Sequence, residues 1–268
     1  MDINNISEDI SVLISTCDKF SDLWDTHIRL YRENWDGPYW KTYLVTDKPT
    51  NKNYDGINII VASGNLDFPM RIRYALDYIK TDYVLLTLDD YFLIERVKEE
   101  ELLYLAKRSE EENIDYLMLY NRRKTNPKEY SDIKQLEKVD LSQKYAVTLY
   151  PAIWKKKFLY NSVKVDIPPW YYEPSLTNYA RMEKANCQFS HAGTFVILDV
   201  VRKGKVLHKA DQYFKRNGIN IGNRQIISRA TEIKLTIMDI VSWYMPRNLF
   251  ILGKRLLERL GITFFSKD

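Results

Sequence analysis

A chain of 268 residues, 45% of them hydrophobic, is long enough to bury one large α/β core or two small ones. Its 40 Lys and Arg against 36 Asp and Glu leave a net charge of +4, too weak and too evenly spread to indicate a nucleic-acid partner. Cys17 and Cys187 lie far apart with no His or Cys at metal-ligand spacing, which argues against a zinc site or a disulfide framework and favours a reducing compartment.

The sequence contains no targeting pattern and no membrane-spanning pattern. Residues 1–10 lack the basic and then apolar order of a secretory signal. There is also no run of about 18 uncharged apolar residues. We therefore expect a cytoplasmic protein that is either soluble or peripherally bound to a membrane.

Apolar runs of strand length alternate with helical patterns through the first part of the chain. The expected strands are residues 11–15, 40–46, 57–62, 83–88 and 116–120. The expected helices, in which apolar residues recur every three or four positions, are residues 19–34, 68–80 and 98–112. This alternation predicts an α/β fold with a doubly wound, mostly parallel sheet, whose ligands bind beyond the carboxyl ends of the strands.

The second part of the chain has a different texture. Residues 121–143 are polar and predict a surface loop, and residues 145–154 are apolar and aromatic. Residues 167–174 contain three prolines and predict turns, residues 194–201 alternate like a strand, and residues 233–260 predict a helix interrupted near Pro246. We expect one domain, residues 1–232, followed by a helical tail, residues 233–268.

Two adjacent carboxylates, Asp89 and Asp90, follow the hydrophobic fourth strand. Like charges at the end of a buried strand repel each other unless Mg²⁺, Mn²⁺ or an arginine offsets them. The alternative is that the two residues cap the following segment, since Asp is a favoured N-cap residue. The pair alone leaves both interpretations open.

The order of motifs in the first part resembles a known family. STCD follows the first strand, TD follows the second, Arg71 and Arg73 lie on the next helix, and YVLLTLDD ends the fourth strand. This order resembles the nucleotide-binding half of GT-A glycosyltransferases, in particular family-2-like bacterial enzymes that assemble capsule and lipopolysaccharide O-antigen. The resemblance implies a donor half, residues 1–120, and an acceptor half, residues 121–232.

The resemblance also implies roles for residues of the donor half. By position, Thr16, Asp18 and Asp47 map to nucleoside contacts, and Asp89 and Asp90 map to the acidic motif that holds donor phosphates and a Mn²⁺ or Mg²⁺ ion. Asp-Asp-Tyr stands here where the family has Asp-x-Asp, which makes Asp90 the better metal candidate and leaves metal dependence open. Arg71 can be a solvated surface residue or can reach a phosphate, and we favour the phosphate.

A second resemblance concerns the acceptor half. TLYPAIWKKKFL and PPWYYEP are similar to a Pro-Ala-Ile-Trp strand and a Pro-Trp-x-x-Glu segment that border the acceptor site in the same enzymes. This implies acceptor contacts by Trp154, Trp170 and Tyr172. It also implies that Glu173 is the general base of an inverting transfer. Its aromatic neighbours would desolvate Glu173 and raise its pKa.

The segment LDVVRKGKVLHKA is similar to a basic turn that follows a strand in this family. The similarity implies that Arg202 and Lys205 meet donor phosphates, although an exposed hairpin is an equally good explanation. His208 is a second metal candidate, because a late histidine completes the metal site in some GT-A enzymes.

The tail carries a basic amphipathic pattern over residues 247–260, with leucines on one side. Such a helix either lies in an anionic membrane interface or packs on its own domain or on a second subunit as a homodimer.

The function expected from the sequence is a hexosyltransferase. It would move a sugar from a nucleotide-diphosphate donor, UDP-linked, to a hydroxyl of a growing bacterial surface polysaccharide or lipid-linked oligosaccharide at the inner face of the cytoplasmic membrane. A sugar nucleotidyltransferase is an alternative, but no glycine-rich loop follows the first strand. The 20 Tyr and 6 Trp also allow a non-catalytic carbohydrate-binding protein, which leaves the paired carboxylates unexplained.

Overall fold

Four strands from the first part of the chain form the parallel half of a central sheet. The computed structural model describes residues 10–35, 40–119, 136–164, 169–190 and 193–244. The four strands are β1 (Ile10–Ser15), β2 (Lys41–Thr46), β3 (Ile57–Val61) and β4 (Tyr83–Leu88). β1 lies between β2 and β4, and β2 lies between β1 and β3. The continuous burial of β1 and β4 is typical of strands covered on both faces.

The rest of the central sheet is mixed. The remaining strands are β5 (Tyr91–Leu93), β6 (Tyr116–Met118), β7 (Leu136–Lys138), β8 (Ala152–Lys155), β9 (Cys187–Ser190), β10 (Ile197–Asp199), β11 (Val201–Arg202) and β12 (Lys205–Val206). Four of these short strands pair outside the central sheet, β5 with β10 and β11 with β12. The order in the central sheet is β3-β2-β1-β4-β8-β6-β9-β7, in which only β8 and β7 run against the others. The expected α/β fold with a mostly parallel sheet is therefore confirmed.

Helices cover both faces of the sheet. They are α1 (Ser21–Asn34), α2 (Phe68–Leu76), α3 (Glu99–Glu111), α4 (Lys156–Ser162), α5 (Pro169–Met182), α6 (His208–Arg216) and α7 (Arg229–Tyr244). Successive residues of β1 point to opposite faces, so that Leu13 packs with α2, α4 and α5 while Val12 and Ile14 pack with α1 and α3. These two cores fix the sheet and therefore fix the positions at which its strands end.

The expected turns at residues 167–174 are wrong, because α5 begins at Pro169 and continues past Pro174. A proline in the first turn costs no hydrogen bond, because the amides there have no partner within the helix. Pro174 does remove one, but the buried stripe of Tyr172, Leu176 and Ala180 at spacings of four packs in the core and offsets that loss.

Two further expectations from the sequence need comment. The polar segment 121–143 contains β7 at the edge of the sheet, while residues 120–135 lie outside the described residues. The expected domain boundary after residue 232 falls inside α7. Residues 245–268, which include the whole amphipathic segment 247–260, lie outside the described residues. Among the described helices, none is both long enough and apolar enough to span a bilayer.

Candidate active site

The carboxyl ends of β1, β2 and β4 meet at one edge of the sheet. Pairing continues one residue past each strand, since the Thr16 amide donates to the Val45 carbonyl over 2.9 Å and the Asp89 amide donates to the Ser15 carbonyl over 3.3 Å. These bonds set Thr16 and Asp89 side by side. The expected convergence of strand-end residues is therefore present.

The Thr16 hydroxyl supports Asp89. It donates a hydrogen bond to the Asp89 carboxylate, and it accepts one from the Trp24 indole N–H over 2.7 Å. The hydroxyl has one proton, which it donates to Asp89. The partner of Thr16 in this structure is therefore Asp89, whereas the sequence motifs implied a nucleoside. Trp24 lies on α1, so the helix that covers the sheet also orients the carboxylate.

Asp18 and Asp47 lie together at the ends of β1 and β2, as their positions after successive strands predict. The Asp18 amide donates to Oδ1 of Asp47 over 2.6 Å, which ties the loop after β1 to the loop after β2. The Lys48 ammonium lies 3.4 Å from the Asp18 carboxylate. The nucleoside contacts expected of these residues stay a prediction.

Asp89 is a buried carboxyl group with only 7% of its surface exposed. Burial raises its pKa to about 7, against the opposing effects of the Thr16 hydrogen bond and of the charges on Arg224 and Arg71. Arg71 is itself buried on α2 and donates to the Leu66 carbonyl over 2.9 Å. Its Nε has no partner among the described residues, which leaves a donor for an anion at this edge.

Asp90 lies directly before β5, a short strand that pairs with β10 outside the central sheet. No helix follows the pair, because β5 begins at the next residue, so the capping interpretation is wrong. Its Oδ1 is buried without a hydrogen-bond partner among the described residues. Burial, followed by the charges of Asp89, Asp199 and Glu173, raises the pKa of Asp90 well above its usual range.

Asp199 belongs to this site, although the sequence analysis did not identify it. Its strand, β10, pairs antiparallel with β5 so that Asp199 lies opposite Tyr91, and the Val200 amide donates to the Asp90 carbonyl over 2.9 Å. Asp199 was visible in the sequence only as one residue of an alternating strand. Cross-strand pairing over more than 100 residues brings it beside Asp90, and nothing local signals that pairing.

Glu173 lies near the start of α5 and faces the same site. Its Oε1 accepts a hydrogen bond from the Leu149 amide over 3.0 Å. Burial raises its pKa, while the Leu149 amide and the charge of Arg202 act in the opposite direction. The charge of Glu173 also raises the pKa of Asp90, so the expected base lies near the expected donor carboxylates.

A stacked tyrosine pair lies between the two halves. Tyr91 follows Asp90 and Tyr150 follows Leu149, and their rings stack with centroids 5.1 Å apart and planes 21° apart. Burial, and then the charges of Tyr150, Asp90, Asp199 and Glu173, raise the pKa of Tyr91. The sequence analysis missed this pair because its members are 59 residues apart.

Two of the expected acceptor contacts are corrected by the structure. Trp154 is 0% exposed and packs edge-on against the ring of Tyr116, with centroids 4.5 Å apart. Tyr172 is 1% exposed, and its hydroxyl is 2.7 Å from that of Ser162. Both side chains belong to the core, whereas Tyr171 is 44% exposed. The Trp170 side chain lies outside the described residues.

The basic turn is a hairpin, as one of the two interpretations expected. Lys203 and Gly204 both have positive φ, 54° and 76°, the conformation of a tight two-residue hairpin turn between β11 and β12. Arg202 lies within electrostatic range of Glu173, and Lys205 is exposed. Their expected contacts with donor phosphates stay predictions.

The residues that the structure describes do not by themselves supply a full set of metal ligands. The described residues contain no group of three or more His, Cys, Asp or Glu placed to hold a metal, so the role expected of His208, at the start of α6, has no support. The unpartnered oxygen of Asp90 is nevertheless a hard ligand of the kind that Mg²⁺ and Mn²⁺ prefer. Such ions are commonly held by one or two carboxylates together with substrate phosphates, and Asp90 fits that arrangement.

The mostly parallel sheet, with paired carboxylates after a central strand and a half-buried glutamate nearby, is typical of the GT-A type of α/β fold. Comparison with solved structures agrees. PcManGT, a mannosyltransferase from Pyrobaculum calidifontis in complex with GDP-Man and Mn²⁺, superposes with a TM-score of 0.51 at 12% identity, over 73% of this chain and 58% of that chain. At this identity the likeness shows the fold.

A second solved structure is more distant. TarS 1-349 of S. aureus in complex with UDP-GlcNAc gives a TM-score of 0.49 at 15% identity, over 74% of this chain and 60% of that chain. The chain thus spans less than two thirds of either protein. No protein-family model matches the sequence, and no curated protein matches it.

Proposed function

We propose that this protein is a glycosyltransferase that moves a sugar from a nucleotide-diphosphate donor to an acceptor hydroxyl. One observation carries the proposal: Asp89 and Asp90 follow a central strand directly, and the half-buried Glu173 from the other half of the chain lies close enough to act electrostatically on Asp90. The complex of the structural neighbour PcManGT with GDP-Man supports it. A carbohydrate-binding protein needs no such set of carboxylates.

Glu173 is the proposed general base. As the acceptor oxygen attacks the anomeric carbon, the Glu173 carboxylate takes the hydroxyl proton. The bond from the anomeric carbon to the diphosphate oxygen breaks, and its electron pair leaves with the nucleotide on the opposite face, which inverts the anomeric centre. A base with a raised pKa holds the proton better than an exposed glutamate does, and the Leu149 amide orients the carboxylate.

Asp89 and Asp90 define the proposed donor-phosphate site. With Asp90 as ligand, Mn²⁺ or Mg²⁺ bound together with the donor phosphates would neutralise charge on the leaving diphosphate. Arg71 supplies a buried guanidinium beside Asp89, with an Nε available for a phosphate oxygen. Arg202 and Lys205 are proposed to approach the same phosphates from the hairpin.

For the acceptor we propose a hydroxyl of a surface polysaccharide or of a lipid-linked oligosaccharide, with UDP as the donor nucleotide. Both rest on the resemblance of the sequence motifs. We propose that Tyr171, which is exposed two residues before Glu173, makes the acceptor contact that the sequence motifs implied for Tyr172. The amphipathic segment of the tail, residues 247–260, is proposed to contact the cytoplasmic membrane face or a second subunit.

Release of nucleoside diphosphate tests the proposal. We expect purified protein to release UDP or GDP from at least one nucleotide sugar, and Asp90→Asn to reduce the rate at least about 100-fold, since it removes the carboxylate oxygen proposed to hold the metal ion at the donor phosphates. Asp55→Asn, at an exposed carboxylate, is the matched control and should retain full activity. Failure of every donor, or full activity of Asp90→Asn, would contradict the proposal. Synthesis of a nucleotide sugar from NTP would instead indicate a nucleotidyltransferase.

A further inference from the structure

The segment between α6 and α7, residues 217–228, crosses back to the first loop of the chain. We call it the C-terminal strap. The Val206 amide donates to the Gln225 carbonyl over 2.9 Å, and the Ile227 amide donates to the Val206 carbonyl over 2.8 Å, which ties the strap to β12. The Thr26 hydroxyl on α1 donates to the Asn220 carbonyl over 3.1 Å. The strap is thus fixed against the hairpin and against α1.

Arg224 lies in the strap and contacts the loop after β1. Its side chain is only 12% exposed. Its Nε and one Nη each donate to an oxygen of Asp22 over 2.6 Å, a two-pronged pairing across 202 residues of sequence. The guanidinium carbon also lies 4.6 Å from the centroid of the Phe20 ring. These contacts leave the guanidinium little freedom to move.

The same guanidinium holds the backbone of the loop after β1. It donates to the Lys19 carbonyl over 2.8 Å and to the Gly204 carbonyl of the hairpin over 3.4 Å. From the opposite side, Asp47 holds the Asp18 amide of the same loop. The loop is therefore held by two side chains, Asp47 just after β2 and Arg224 in the strap.

This loop carries the parts of the site that orient Asp89. Thr16, which donates to the Asp89 carboxylate, opens it, and Asp18 follows two residues later. The guanidinium of Arg224 is close enough to act electrostatically on Asp89 and on Cys17. Arg224 therefore links the strap to the carboxyl edge of the sheet.

We propose that Arg224 is a positioning residue of the donor site, which holds the loop of residues 16–20 in the shape that receives the nucleotide sugar. This inference rests on the proposed function and extends the donor site to the C-terminal strap. An ordinary surface ion pair contributes little, because solvent screens it and two long side chains must be ordered. Arg224 differs, since it is mostly buried and holds two backbone carbonyls besides its acidic partner.

The test compares Arg224→Ala, Arg224→Lys and Asp22→Asn with wild type in steady-state kinetics and donor titrations. We expect Arg224→Ala to raise the donor KM at least about tenfold, the effect of losing a charge-assisted hydrogen bond, with kcat within about threefold of wild type. Arg224→Lys should be intermediate, because an ammonium cannot form the two-pronged pair. Guanidinium at millimolar concentration should partly restore donor binding to Arg224→Ala, a response that a merely structural role does not predict.

The matched control is Arg29→Ala, on the solvent side of α1, where Arg29 pairs with Glu33 over 3.2 Å. It should leave donor KM and kcat at wild-type values. If wild type binds the donor, and both Arg224→Ala and Arg224→Lys bind it with an affinity within twofold of wild type, this inference is overturned. The proposed function would then still stand. Loss of folding in all three test variants would make Arg224 a stability residue only, which also overturns it. No donor binding by folded wild-type protein overturns the proposed function and this inference with it.

Discussion

The two halves of the site are built in different ways. On the donor side, Thr16, Asp47 and Asp89 each follow a strand of one parallel array, so strand register alone brings them together. On the acceptor side, Glu173 comes from a helix, and the amide that orients it comes from a loop before β8. Positions on the donor side follow from where strands end. Those on the acceptor side depend on helix phase and long-range pairing.

The first prediction separates chemistry from binding across the two halves. Glu173→Gln should lower kcat by about 10² to 10⁴, because it removes the proton acceptor, and should leave the donor Kd unchanged. Glu183→Gln, at an exposed glutamate just after α5, is the control. Single-turnover kinetics with donor titration measure both quantities. Turnover within a few fold of wild type in a folded Glu173→Gln protein would place the base elsewhere.

The second prediction tests the correction of the aromatic residues. Trp154→Ala should lower the free energy of unfolding by about 3 to 5 kcal/mol, because it leaves a large cavity beside Tyr116. Tyr171→Ala, at the exposed aromatic, should change it by less than about 0.5 kcal/mol. Urea unfolding measures both. Equal effects of the two variants would show that Trp154 is not the core residue described here.

The third prediction concerns α1, the helix that supports the donor side. Burial lowers the pKa of His27 from 6.5 to about 4, although its ring donates to the Tyr91 carbonyl. Between pH 6.5 and 4, His27 is therefore protonated in the unfolded chain and neutral in the folded protein. Stability contributed by neutral His27 is complete above pH 6.5 and declines as the pH falls, by about 3 kcal/mol in total.

Unfolding measured from pH 7 to pH 4.5 tests this expectation in wild type and His27→Gln. The variant should lose less stability on acidification than wild type, and the difference between the two proteins removes the contribution of the other titrating groups. Parallel pH profiles for the two proteins would contradict the buried, neutral state of His27.

The fourth prediction sharpens the acceptor side and has the smallest effect. Tyr171→Ala should raise the acceptor KM about three- to tenfold, the range expected for one lost ring contact, and should leave the donor KM unchanged. Tyr78→Ala, at another exposed tyrosine two residues after the end of α2, is the matched control. Unchanged acceptor KM in Tyr171→Ala would remove this residue from the proposed acceptor site.

These comparisons show how far the sequence leads. Apolar runs and helical spacing predicted β1 to β4 and the helices between them, because both signals are local. They also placed Asp18, Asp47 and Asp89 at one edge. The α5 helix was read as turns because its prolines outweighed the spacing of Tyr172, Leu176 and Ala180. Once a helix forms there, its phase buries Tyr172 and exposes Tyr171.

Other features lay beyond any local signal. Asp199 reaches Asp90 only through the pairing of β10 with β5, and Arg224 reaches Lys19 only through the C-terminal strap. Both residues are ordinary in their own sequence surroundings. Contacts of this kind depend on the assembled sheet, so the sequence indicated Asp89 and Asp90 while leaving their neighbours unidentified.

The central claim is that Asp89 and Asp90 mark a site for a nucleotide sugar. The most direct measurement is thermal unfolding of wild type and Asp90→Asn with a panel of UDP and GDP sugars, with and without Mn²⁺. A ligand that binds only the folded state at about 100 times its Kd should raise the wild-type Tm by about 5 °C or more. We predict that shift for at least one nucleotide sugar and a much smaller one for Asp90→Asn. Absence of any shift in wild type, or equal shifts in both proteins, would contradict the claim.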